Sequence, residues 1–208
     1  MLAVIPGART EENGHAIVAE VADRLGGAPP ELMTSDEYPV YETAIEDTFG
    51  EPVSSERSPG RPRIVPERQV PGGVVYATVH KTRKKGRVVA VEPRLIFGSE
   101  DELGEALDES CASHGVNTSF VERQNASDRH RDARKSRKTY RFSKDWQVHE
   151  AMTYLTMYGY NFCWCVRTLR VKDESGRWRA RTPAVAAGLT DHVWTWREWF
   201  TRPAVQAA

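Results

Sequence analysis

Phe120-Val121-Glu122-Arg123-Gln124-Asn125-Ala126-Ser127-Asp128-Arg129-His130-Arg131-Asp132-Ala133-Arg134-Lys135-Ser136-Arg137-Lys138-Thr139 is the most basic stretch of this chain, and it encloses a glutamate. A surface built only to hold an anion has no use for a carboxylate among so many cations. A surface that follows a polyphosphate backbone and also positions a metal ion does. That combination points to chemistry on nucleic acid, and to a helix: the run opens at Asn117-Thr118-Ser119 and has no Gly or Pro before Phe142-Ser143-Lys144.

The chain has 208 residues, 39% of them hydrophobic and 28% charged, enough for one domain with a core or a domain plus an appendage. Its 29 basic and 29 acidic side chains cancel, but they are segregated. Residues 1–50 hold 2 Lys/Arg against 10 Asp/Glu, and residues 123–144 hold 9 against 2. A local basic stripe is the electrostatic footprint of a nucleic-acid binder. Three cysteines, Cys111, Cys163 and Cys165, form no disulfide framework and lack a second pair at metal-ligand spacing, which implies a reducing, cytoplasmic setting. The apolar start, Met1 to Pro6, is too short for a signal peptide, and no apolar run approaches a membrane span.

Outward from the basic stretch, hydrophobic spacing predicts an α/β protein. Residues 2–5 read as a short buried strand. Thr10 caps a helix whose apolar residues run from Ile17 to Leu25, ended by Gly26-Gly27. Residues 31–35 read as a strand finishing at Asp36, followed by a helix over residues 40–49. Residues 50–73 are a linker rich in Pro, Gly, Ser and Arg. Residues 74–97 are a hairpin turning at Lys84-Lys85-Gly86, and residues 99–109 an acidic helix. Beyond the basic helix, Ser143 is expected to cap a helix with a buried stripe of Ala151, Leu155, Tyr158 and Phe162. A tail over 171–208 holds a Thr182-Pro183 helix start and Trp194, Trp196 and Trp199.

Asp36 and Glu122 are the carboxylates placed for chemistry. Asp36 ends a strand, where open α/β sheets put their sites. Glu122 falls in the first turn of the basic helix. Carboxylates from different elements can share divalent metals, and hard oxygens suit Mg²⁺ or Mn²⁺. At about 100° per residue, Glu122, Asn125 and Arg129 share one side of a helix. Arg123, Arg134, Arg137 and Arg141 share an adjacent one, with Lys135 and Lys138 in the same run. That second face would contact a DNA backbone. Lys81, Arg83, Lys84 and Lys85 of the hairpin would add backbone contacts at most.

The residues Asn117-Thr118-Ser119-Phe120-Val121-Glu122-Arg123-x-Asn125, with Ala133-Arg134-Lys135-x-Arg137-Lys138-Thr139 and Phe142-Ser143-Lys144, resemble the last acidic motif of bacterial insertion-sequence transposases of the Asp-Asp-Glu class. Leu32-Met33-Thr34-Ser35-Asp36-Glu37-Tyr38 resembles the second motif. The resemblance implies a partial RNase H-like core over residues 1–170, lacking its first strands and carrying an inserted hairpin, and a Trp-rich tail. It implies catalytic roles for Asp36, Glu122 and Arg129, with Asp36 and Glu122 as ligands of two Mg²⁺ or Mn²⁺ ions. It implies metal-dependent cleavage and strand transfer of DNA without a covalent intermediate, a homo-oligomer and a nucleoid-associated location. The chain departs from the pattern in one respect: no Asp precedes Asp23, so the first catalytic aspartate and its strand are missing from it.

Other readings compete. A non-catalytic DNA-binding derivative of such an enzyme would keep the basic surface alone, and an RNase H-like nuclease unrelated to transposition would keep the carboxylates. Ser119-x-x-Glu122 is also a capping box, in which Glu122 would only accept the Ser119 backbone N–H. Gly60-Arg61-Pro62-Arg63 matches the core of a minor-groove hook but sits in a plain linker. The tail tryptophans read as core.

Overall fold

Thr10 accepts a hydrogen bond from the Asn13 N–H and opens α1 (Glu11–Arg24). In this computed structural model, which describes residues 2–53, 68–110, 113–136 and 138–202, residues 2–5 form no strand. Leu2 is exposed while Ala3 is buried. The expected strand fails because no described neighbour takes its backbone hydrogen bonds, and a lone short strand is not stable. The strand expected at Asp36 is β1 (Met33–Asp36), and the helix after it is α2 (Val40–Phe49). Where α1 meets α2, a Cβ on Gly14 would collide with Val40, so the glycine permits the close approach.

Two short strands, β2 (Glu51–Pro52) and β3 (Arg68–Gln69), pair antiparallel at either side of residues 54–67. The hook-like Gly60-Arg61-Pro62-Arg63 lies outside the described residues, as do Cys111 and Arg137. The expected hairpin is formed by β4 (Tyr76–Lys84) and β5 (Arg87–Phe97), which pair from Tyr76 with Phe97 to Lys84 with Arg87. Lys85 and Gly86 turn it with φ of 50° and 77°, the paired positive values that a two-residue hairpin loop needs. Pro93 is tolerated in β5 because that strand is an edge.

The sheet order is β1-β4-β5, with β1 parallel and β5 antiparallel to β4. The outer edge of β1 has no partner among the described strands. Side chains alternate between two faces. On one, Ile45, Val74 and Tyr76 form a core with Val18, Met33, Tyr41 and Phe97. On the other, Val75, Ala77 and Leu103 pack with Leu32, Leu95 and Val116. Leu103 comes from α3 (Glu100–Glu109), which Ser99 and Glu102 close with a reciprocal capping box. The result is a mixed α/β protein with small sheets.

The chain divides into two compact units, Leu2–Arg123 and the residues from Gln124 onward. The division falls inside α4 (Ser119–Arg131). The second unit holds α5 (Trp146–Cys163), the small hairpin of β6 (Val171–Lys172) and β7 (Trp178–Arg179), α6 (Pro183–Ala186) and α7 (Trp196–Thr201). Asp145 caps α5, not Ser143. The expected stripe on α5 is also displaced: Thr153 and Met157 are buried, while Ala151 is exposed. Phe162 does pack, with ring centroids 4.6 Å from Trp194 and 5.3 Å from Trp199. Trp196 lies on Gly159, whose Cβ would come within 2.7 Å of the ring.

Candidate functional site

The start of α4 frees Glu122 from its helix. The Ser119 N–H donates to Asn117 Oδ1 at 3.1 Å, and the Thr118 carbonyl accepts the Glu122 N–H at 3.0 Å. Asn117 thus takes the capping duty that a Ser119-x-x-Glu122 box would give to the glutamate. The Glu122 carboxylate instead accepts from Lys81 Nζ and from Thr118 Oγ1, the latter at 3.1 Å. Lys81 also donates to Thr118 Oγ1 at 3.1 Å. Hydrogen bonds from Lys81 and Thr118, with the nearby charges of Lys81 and Arg83, hold the Glu122 carboxyl below its ordinary value. The side chain remains 63% exposed, so it is ionised, oriented and open to solvent.

Asp36 sits at the last position of β1, in register with Val79. Its Oδ1 accepts from Arg9 Nη2 at 2.6 Å, and the Arg9 guanidinium lies 4.1 Å from the Tyr38 ring centroid. Paired residues on neighbouring strands point to the same side of a sheet, and so does the next residue but one. Val79 and Lys81 fall by this alternation on the side of β4 that Asp36 pairs with, but the Asp36 carboxylate turns to Arg9, beside Tyr38 and Tyr41. The Lys81–Glu122 pair is separate from the Arg9–Asp36 pair. The neighbouring Glu37 is bound elsewhere, to His80 at 2.5 Å and Arg94 at 2.9 Å.

Each carboxylate offers hard oxygens of the kind a divalent cation takes. Both carboxylates are exposed oxygen ligands, and Mg²⁺ keeps most of its waters while taking one or two protein carboxylates. Each carboxylate is also paired with a side-chain cation, Asp36 with Arg9 and Glu122 with Lys81, which a metal would have to share or displace.

The basic run divides more than its composition suggests. Arg123, Asn125 and Arg129 are exposed on α4. The helix ends at Arg131, and Asp132, only 2% exposed, accepts the Arg134 N–H and starts a separate 3-10 turn over Ala133–Lys135. Arg134 and Arg141 are thus not on a continuous helix face with Arg123, as the uninterrupted run predicts. Lys135 is enclosed in an ion pair with Asp128 at 2.8 Å, which Thr156 Oγ1 joins at 3.1 Å, so its ammonium is not free for a phosphate. Arg131 is stacked 4.5 Å from the Tyr160 ring and 4.3 Å from Trp164, and burial lowers its pKa. Arg134, Lys138 and Arg141 remain exposed, and among the described residues none is paired with a carboxylate.

Sequence reasoning missed Lys81 and Arg9 as the partners of the two carboxylates. Both are distant in sequence from what they bind, 27 positions for Arg9 and Asp36 and 41 for Lys81 and Glu122. No protein-family model matches this chain, and no curated protein or solved structure matches it.

Proposed function

We propose that this chain is part of the catalytic core of a DNA transposase of the Asp-Asp-Glu class, RNase H-like in fold, of which it holds the second and third acidic residues; the whole core uses Mg²⁺ or Mn²⁺ to cleave and join phosphodiesters. The observation that carries this reading is the position of Glu122. It is released from capping its own helix, and Lys81 and Thr118 hold its carboxylate oriented and exposed. The reading also accounts for the open edge of β1, because the resemblance puts there the strand with the first aspartate.

Asp36 and Glu122 would hold the metal, which when bound activates a water or 3′-hydroxyl and stabilises the leaving oxygen. Thr118 orients the Glu122 carboxylate. Lys81 keeps it ionised. Arg129, seven positions after Glu122 and exposed, would contact the DNA backbone with Arg123 and Asn125. Function as a homo-oligomer at the nucleoid belongs to the same proposal.

A second reading rests on the two ion pairs. If Arg9 and Lys81 are permanent partners, the chain binds DNA without cutting it. Incubation of the full chain with supercoiled plasmid and Mg²⁺ or Mn²⁺ separates the two. The catalytic reading expects nicking that Glu122→Gln and Asp36→Asn abolish while DNA affinity persists. Nicking that survives Glu122→Gln contradicts its role as a ligand. Binding without nicking by the unaltered chain selects the second reading.

A further inference from the structure

Between the end of α4 and the start of α5, the second unit carries a concave site of about 460 Å³ that a continuous basic helix would not have formed. Arg134, Arg141 and Lys144 line it, together with Phe142, Asp145 and Val148. The size falls within the ordinary range of small-ligand sites.

Its chemistry has two parts. The first is cationic. Arg134, Arg141 and Lys144 are exposed, and none has a carboxylate partner among the described residues. The one acidic residue of the lining, Asp145, turns Oδ1 onto the Val148 N–H at 3.1 Å as the cap of α5. The second part is aromatic. Phe142 is 56% exposed and its neighbour Tyr140 is 98% exposed. Lys144 Nζ lies 6.0 Å from the Phe142 centroid, at the outer limit of a cation–π contact. Two exposed rings among three cations without carboxylate partners offer a stacking face and positive charge together. Duplex DNA buries its base faces in its own stack and offers such rings nothing. A single strand offers a base face and a phosphate in every repeat, and proteins bind it by stacking bases on aromatic rings beside cations.

We propose that this concavity is a binding site for one nucleotide step of a single-stranded nucleic acid, with the base on Phe142 and its phosphate among Arg134, Arg141 and Lys144. The exposed Tyr140 ring is placed to receive an adjacent base. This inference rests on the nucleic-acid part of the function proposed above and is independent of its catalytic part.

Fluorescence anisotropy with the full chain tests it, using labelled oligothymidine, oligouridine and a duplex of the same length. Phe142→Ala should weaken binding of the single strands about tenfold and leave duplex affinity unchanged. Phe142→Trp should retain single-strand binding, which separates a lost stacking face from a misfolded loop. Arg134→Ala with Arg141→Ala should lower the salt slope for single strands by about 1.4, whereas Phe142→Ala should leave that slope intact. Equal affinity of the DNA and RNA strands is expected, since a ring and a phosphate site do not read the 2′-hydroxyl; a strong preference for one would overturn this account of recognition. Equal effects of Phe142→Ala on single strands and duplex, or none on either, would overturn the site while leaving the proposed function standing. An unaltered chain that binds no nucleic acid would overturn both, and a chain that binds but never nicks would overturn only the catalytic reading.

Discussion

In the first unit the enclosed side chains are mostly apolar, Thr78 excepted: Ile45, Val74 and Tyr76 pack on one face of the sheet, Val75, Ala77 and Leu103 on the other. In the second unit much of what is enclosed is polar. Thr182 and Asp132 are almost inaccessible, and the Asp128–Lys135 pair is 12% exposed on each side chain. The two regions consequently differ in how they respond to substitution. An apolar core loses contact area in proportion to what is removed. An enclosed polar contact fails abruptly, because the partner left behind keeps its full desolvation cost.

The largest expected effect therefore lies in the second unit. Asp128→Ala leaves the Lys135 ammonium enclosed without its counter-ion and should destabilise the protein by about 3 kcal/mol, measured by chemical denaturation. Asp128→Leu combined with Lys135→Met should recover much of the loss. A loss below about 1 kcal/mol, the range of surface pairs, would erase the contrast between the two regions.

A smaller effect sharpens it. His192 is hydrogen-bonded to Asp191 at 2.6 Å and to Glu198 at 2.9 Å, and these partners raise its pKa above the ordinary 6.5. A raised histidine pKa means stabilisation that is complete below the unfolded value and lost as the pH rises through the folded one. His192 precedes Trp194 and bridges to α7, so the near-UV circular dichroism of the tryptophans should weaken as the pH rises above about 6.5. His192→Gln should remove that dependence. A profile that stays flat in the unaltered chain would show that the bridge does not hold the aromatic cluster.

The same contrast explains what the sequence made legible. The bounds of α2, the hairpin turn at Lys85-Gly86 and the strand ending at Asp36 follow from spacing and turn chemistry, which are local. Helix-forming residues run on past Arg131, yet α4 stops there because Asp132 is enclosed and caps the next turn while Lys135 folds back to Asp128. An Asp four residues after another, ahead of Ala133-Arg134, is a cap signal, but without knowledge of its burial it reads as a solvated partner for the arginines. On α5, Ser143 and Asp145 are both cap types two residues apart, and Asp145 takes the role by accepting the Val148 N–H. At the candidate site, Asp36 and Glu122 stand out in the sequence only through the motifs around them. Their partners do not, since Arg9 and Lys81 are joined to them only through tertiary contacts.

Those partners define the most direct test. Electron paramagnetic resonance of Mn²⁺ titrated into the full chain measures whether Asp36 and Glu122 take a divalent ion together. The account predicts a saturable site that is lost in Glu122→Gln and in Asp36→Asn. It also predicts tighter binding in Lys81→Met, where the competing ammonium is gone. Equal Mn²⁺ affinity in the unaltered chain and in both carboxylate variants would contradict it.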